Sequence, residues 1–340
     1  MNVTGTELTT QKISVLLERY PFLTSYLEDN MLDVSRKEQL TLGEFFNTYD
    51  EEEVENKALD KEQVLDNMSQ YINQMIEFLG AKEDVGVHSV TILPGTDKSG
   101  NPETFGSLTV HQSEIVCIVG PTGSGKSRLL GDIEWAAQND TPTSRSIMID
   151  EKKPDMKWRF SSGNKLVAQL SQNMNFVMDL TVREFLELHA KSRLVEDEEH
   201  VIQRIIEAAN NLAGEKFNMD TPVTSLSGGQ SRALMIADTA ILSKSPIILI
   251  DEIENAGIDR KKALQLLIGE EKIVFMATHD PLLALMGDKR IVIRNGGIHK
   301  IIETSTRERE LLKELEKMDA IVQDLRHRLR QGGTLDEVEL

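Results

Sequence analysis

Eight consecutive residues, Gly120-Pro121-Thr122-Gly123-Ser124-Gly125-Lys126-Ser127, hold the most concentrated chemistry in the chain. They satisfy G-x-x-x-x-G-K-[ST] in full, after the apolar run Ile115–Val119 and before a segment that reads as helix. Glycines let backbone N–H groups turn inward and cradle phosphate oxygens, and a following helix points its positive end at the same anion. Lys126 is placed to reach the β- and γ-phosphates, and Ser127 to give a hydroxyl to Mg²⁺. A chance glycine turn would lack the strand before it and the helix after it.

A second group is Ile247-Ile248-Leu249-Ile250-Asp251-Glu252. Four apolar residues ending in two carboxylates describe a buried strand with acids at its carboxyl edge, where ligands of such sheets bind. Asp251 suits Mg²⁺, directly or through water, and Glu252 suits orienting or deprotonating the attacking water. Alone this pattern is weak; downstream of a phosphate loop it gains force. Between the two lies Leu226-Ser227-Gly228-Gly229-Gln230. Ser-Gly-Gly opening a helix is in physical terms another anion site. One nucleotide needs one phosphate loop, so a second such site suggests a nucleotide shared between two copies.

Leu226–Gln230, placed between the phosphate loop and the Asp251-Glu252 strand, resembles the signature of ATP-binding cassette (ABC) ATPases. The resemblance covers about residues 85–300. It implies that Gln172, ahead of Leu180-Thr181-Val182, is the glutamine that touches Mg²⁺ and the water. It implies that His279, in Ala277-Thr278-His279-Asp280, contacts the γ-phosphate, and that Asp259 ends a loop crossing a dimer interface. Catalysis would then rest on Glu252, His279 and Gln172. ATP would be held by Gly120–Arg128 and, from the other chain, by Ser227, Gly228, Gly229 and Gln230. The metal would fall to Ser127, Gln172 and Asp251. Three positions depart from the family's pattern. Arg128 stands where a second hydroxyl is usual, and either meets the α-phosphate as a charge or swings away. Asp251–Asp259 is one residue longer than the common form. Between Val85 and Gly106 the only aromatic is Phe105, so no Tyr or Trp is placed to stack on adenine, and Phe105 is expected in the core.

The elements that must position these residues follow from periodicity. Short β-branched runs at Ser89–Leu93, Ile115–Val119, Ser146–Asp150, Leu166–Leu170, Ile247–Ile250, Ile273–Ala277 and Ile291–Ile293 alternate with helical patterns, which predicts a largely parallel sheet covered on both faces. Gly95–Glu103 reads as a hairpin-like loop. With the resemblance, the fold class is α/β: an ABC-type ATPase domain over 84–300 with a mixed sheet and a helical subdomain at about 183–245. Residues 1–80 read as a separate helical domain, with apolar positions at helical spacing (Ile13, Leu16, Leu17, Tyr20) and 16 acidic against 6 basic residues, a net −10. Residues 303–331 read as one charged helix. In it Leu311, Leu315, Met318, Val322, Leu325 and Leu329 step by four and three, as in a coiled-coil seam. Such a helix either packs on its own domain or pairs with a partner.

Composition bounds the function. The 340 residues are 39% hydrophobic, enough for a sizeable core, and the formal charge of −18 argues against a nucleic-acid partner, which needs clustered Lys and Arg. One cysteine, Cys117, excludes an intrachain disulfide and a cysteine-cluster metal site. The first residues lack the basic and apolar regions of a signal peptide, and no run spans a bilayer, so a cytoplasmic chain is expected, peripheral to a membrane at most. The expected activity is Mg-dependent ATP hydrolysis with homodimer closure around nucleotide. The acidic N-terminal region and the charged C-terminal helix favour a soluble factor that remodels or reactivates a protein partner; the alternative is the ATP-binding subunit of a membrane ABC transporter.

Overall fold

The computed structural model describes residues 3–49, 60–78, 86–155, 158–159, 165–171, 176–251 and 257–334. It opens with helices α1 (Gly5–Thr10), α2 (Ile13–Arg19), α3 (Leu23–Asp29), α4 (Leu42–Phe46) and α5 (Lys61–Phe78). Leu8, Ile13, Leu16, Leu23, Phe45 and Ile72 are among the residues that close a core between them. α1 and α4 each start with a capping box, Thr4 with Glu7 and Thr41 with Glu44, which satisfies two otherwise orphaned N–H groups at each start.

The chain then runs through β1 (Ser89–Leu93), β2 (Leu108–His111), β3 (Ile115–Val119), α6 (Lys126–Glu134), β4 (Ser146–Ile149) and β5 (Val167–Leu170). Next come α7 (Val182–Ser192), α8 (Glu198–Leu212), α9 (Gly228–Ile241), β6 (Ile247–Asp251), α10 (Arg260–Gly269) and β7 (Ile273–Ala277). α11 (Pro281–Met286), β8 (Lys289–Arg294), β9 (Gly297–Glu303) and α12 (Thr306–Arg330) complete it. The strands form two sheets: a six-stranded one in the order β5-β6-β7-β3-β8-β9, and an antiparallel three-stranded one in the order β2-β1-β4. The sequence suggested one largely parallel sheet. β1 and β4 instead leave it, because β1 pairs antiparallel with the hairpin partner β2 on one side and with β4 on the other. β2 and β9 were not anticipated. β2 is short, and β9 carries its alternation past Gly296-Gly297.

Alternate residues of the central strands face different cores. Val116, Ile118, Leu249 and Phe275 face the small sheet and α6, whereas Cys117, Ile248, Ile250 and Met276 face α9, α10 and α11. Burial on both faces is why these strands read as unbroken apolar runs. α7, α8 and the outer side of α9 share a third core around Leu186, Ile205 and Leu234. α1 and α2 meet the α7–α8 corner, where Leu194 packs on the N-terminal core and Arg19 pairs with Glu196 at 3.4 Å. This meeting is loose: a cavity of about 940 Å³ remains, lined among others by Glu7, Glu18, Tyr20, Lys191, Val195 and Glu198. Among the described residues, no helix is long and apolar enough to cross a membrane.

The first half of α12 lies along its own body. Arg290 binds Glu308, Lys261 binds Glu316, and Arg260 bridges Asp280 at 2.6 Å and Asp319 at 3.1 Å. These contacts use one face of the helix; the stripe of Leu311, Met318, Val322 and Leu329 points elsewhere and stays exposed.

Candidate nucleotide site

The register of the parallel strands brings three of the expected groups to one sheet edge. Asp251, the last residue of β6, stands opposite Ala277 of β7. Ala277 in turn stands opposite Ile118 of β3, just before the phosphate loop. Thr278 N donates to Ile118 O at 3.1 Å, which fixes the start of the Thr278–Asp280 turn against β3. With strands about 4.8 Å apart, the backbone of Asp251 lies roughly 10 Å from that of β3, with the His279 turn between them.

Gly120–Ser127 links β3 to α6. Gly125 is the N-cap of α6 at φ +110°, and a Cβ there would stand 2.8 Å from Gly296 Cα. A Cβ on Gly120 would stand 2.6 Å from Ile293 O. The loop therefore has room only for glycine where it lies against the β8–β9 turn. Gly296 N donates to Ser124 O at 2.7 Å, and Lys126 Nζ curls back to donate to Gly120 O at 3.0 Å. Ser124 Oγ is buried without a partner. An orphaned hydroxyl and a wall that excludes side chains suit a loop shaped to receive an oxyanion. Ser127 and Arg128 are exposed in the first turn of α6.

The support behind the loop escaped the sequence reading. Arg145 is fully buried; it donates to Glu103 at 2.6 Å, to Asp132 at 2.8 Å and to Gly296 O at 2.8 Å. Burial works against its charge, but the hydrogen bonds and charges of Glu103 and Asp132 win and hold its pKa above the ordinary arginine value. Glu103 also accepts from Gly95 N at 2.8 Å and from Ile298 N, so one carboxylate joins the β1–β2 loop to β9. From the same loop Lys98 Nζ donates to Gly123 O at 2.9 Å. No local pattern marks these residues, since Arg145 meets partners far away in sequence. Phe105 packs against the core beneath the small sheet, as expected for a residue that does not stack on a base.

The Ser-Gly-Gly stretch starts α9. Ser227 Oγ accepts from Gln230 N at 3.3 Å, Gln230 Oε1 accepts from Ser227 N at 2.8 Å, and Gln230 Nε2 donates to Glu215 O at 3.3 Å. Ser227 and Gly228 are exposed. Among the described hydrogen bonds, those of Ser227 and Gln230 stay within the cap and the 215–216 turn, and none reaches the phosphate loop of the same chain. Gly257 approaches Gly229, and Asp259 N donates to Leu212 O at 2.9 Å, so residues 257–259 rest on the α8–α9 corner. Asp259 caps α10 by accepting from Lys262 N. His279 is exposed, between Thr278 and Asp280, and Asp280 caps α11 and binds Arg260. Gln172 and Glu252 lie outside the described residues. So does Asn255 of the longer loop. Among the described residues, no cluster of three or more His, Cys, Asp or Glu suits a metal by itself; Mg²⁺ sites of the phosphate-bound kind need only one or two protein ligands.

The chain matches the family model described as ABC transporter over residues 106–255. An uncharacterized ABC transporter ATP-binding protein of Methanocaldococcus jannaschii is 50% identical over 254 residues, 75% of this chain and 97% of that protein. The uncharacterized ABC transporter ATP-binding protein YvrO of Bacillus subtilis is 32% identical over 200 residues, 56% of this chain and 84% of that protein. A solved ATP-binding subunit of an ABC transporter shares the fold, with a TM-score of 0.50 at 18% identity, covering 65% of this chain and 92% of its own. A relative identical at half of the aligned positions, and spanned almost end to end, shows the family: this chain is an ATPase of the ATP-binding cassette (ABC) family.

Proposed function

We propose that this ABC ATPase binds Mg-ATP on Gly120–Arg128, closes on a second copy and drives a membrane transporter as its ATP-binding subunit. The observation that carries the nucleotide site is the strand register that sets the phosphate loop, Asp251 and His279 along one edge. The loop's N–H groups and Lys126 bind the phosphates; Lys126 exchanges its bond to Gly120 O for phosphate oxygen. Ser127 and Asp251, with Gln172, would hold Mg²⁺, which would supply charge stabilisation for the transferred phosphoryl group. Glu252 takes or orients the proton of the attacking water, and His279 steadies the γ-phosphate. The exposed start of α9, Ser227–Gln230, meets ATP held by the other copy. The transporter reading draws on the relatives, which are named as ATP-binding proteins of ABC transporters. They favour it over the soluble remodelling factor to which the two extra segments pointed, and it puts the chain at the cytoplasmic face of a membrane.

One variant tests both levels. Glu252→Gln keeps ATP binding and lowers turnover at least ~100-fold, the scale for losing a general base. With Mg-ATP it forms a trapped dimer that co-purifies with an integral membrane protein from detergent-solubilised membranes. Turnover at the parent rate would remove Glu252 from the mechanism. A trapped dimer held only by soluble proteins would return the remodelling reading.

A further inference from the structure

Most of the apolar stripe of α12 is uncovered by the described residues, and its Leu315 and Leu325 are half-buried. Leu311, Met318, Ile321, Val322 and Leu329 are between 41% and 63% exposed, while the ion pairs of Glu308, Glu316 and Asp319 hold an adjacent face to the body. We infer that this stripe is the seam of a nucleotide-independent homodimer in which the α12 helices of two copies pair antiparallel about Ala320.

The register of the stripe is its own complement. In antiparallel order centred on Ala320, Leu311 lies opposite Leu329, Leu315 opposite Leu325, and Met318 opposite Val322. Every layer then joins an a position to a d position, so six apolar layers form. The flanking positions decide the direction. Antiparallel pairing sets Glu314 beside Arg328 of the other copy at both ends, and brings the two Ile321 side chains together at the centre. Parallel pairing instead sets Glu314 beside Asp319 twice, a repulsion. Glu314 and Arg328 now sit in exposed local pairs with Lys317 and Asp324, which are easily shared. The two Asp319 side chains would approach one another near the axis, but each is held toward its own body by Arg260 at 3.1 Å, a cation it shares with Asp280. This pairing needs no ATP, so it stands or falls separately from the nucleotide-driven closure.

Sedimentation of the full chain without nucleotide tests it. The parent sediments as a dimer, and Met318→Lys with Val322→Lys gives a monomer with unchanged circular dichroism, since both side chains are exposed in the single chain. Glu314→Arg raises the dimer Kd roughly 10-fold, the scale of two exposed ion pairs turned repulsive, and adding Arg328→Glu restores it. Disulfide capture tests direction: Leu311→Cys chains mixed with Leu329→Cys chains cross-link to each other, and Leu311→Cys alone does not, because its two copies stand roughly 27 Å apart along the helices. The native thiol does not interfere, as Cys117 is buried and burial pushes it up to about 12. A parent that is monomeric without nucleotide across micromolar concentrations overturns the inference and leaves the seam to another protein. Self-linking of Leu311→Cys overturns the antiparallel order.

Discussion

Arg145 shows how a single side chain can set the shape of a site it never enters. Its guanidinium is fully buried and ties Glu103, Asp132 and Gly296 O together, and Gly296 is the residue that presses on Gly125 and donates to Ser124. Removing one member of a buried charge group leaves the others uncompensated, at a cost of about 3–5 kcal/mol. Arg145→Met is therefore expected to lower the unfolding free energy by that amount, seen as a lower urea midpoint, and to weaken Mg-ATP binding, because the wall behind the loop loosens. Equilibrium unfolding and nucleotide titration check both effects. A loss below about 1 kcal/mol, the range of an exposed pair, would mean that the triad is not the support described. Lys126 and Ser127 could be found in the sequence because the pattern that marks them lies within eight residues. Arg145 could not, because Glu103, Asp132 and Gly296 reach it from three separate segments and Ser144-Arg145-Ser146 has no pattern of its own.

At the level of elements, the start of α9 commits its polar side chains to capping. Ser227 and Gln230 satisfy each other's backbone, so what faces outward is the N–H end of the helix and Gly228. A helix end of this kind offers itself to an anion on another molecule. Mixing Ser227→Arg chains with Lys126→Ala chains is expected to restore ATPase activity that neither has alone, up to half of the parent per mixed dimer. In such a dimer one site keeps both Lys126 and the opposing Ser227. Native mass spectrometry identifies the mixed species; mixed dimers with no activity above background would end the shared-site reading. Strand positions were legible wherever burial on both faces made an apolar run, as at β3, β6 and β7. Membership of a sheet was not, because hairpin pairing took β1 out of the parallel order. Capping boxes at Thr4, Thr41, Thr181 and Ser227 were available signals for helix starts, since each has Glu or Gln three residues on. For α12, the stepping of leucines gave the seam, but only the ion pairs of Glu308, Glu316 and Asp319 show which face is already occupied.

For the whole molecule, the acidic N-terminal helices sit on the α7–α8 corner with a cavity between them. Glu7 and Glu18 line it from one side and Glu196 and Glu198 from the other, against Arg19 and Lys191. The Arg19–Glu196 pair is too exposed, at 52% and 87%, to outweigh the three other carboxylates. Burial raises the pKa of Glu198; Lys191 opposes this, and Glu187 and Glu18 add to it. A carboxylate whose pKa is raised on folding weakens the structure while it is ionised and stops doing so as pH falls through the raised value. Mild acid is therefore expected to tighten the seat of the N-terminal helices, and Glu198→Gln to do so at neutral pH. Hydrogen exchange at residues 13–20 and 191–198 reads this directly, and faster exchange in mild acid, after correction for the intrinsic rate, would contradict it. Because Glu18 of the N-terminal helices is among the charges that raise Glu198, their docking is expected to take up protons and their lifting away to release them.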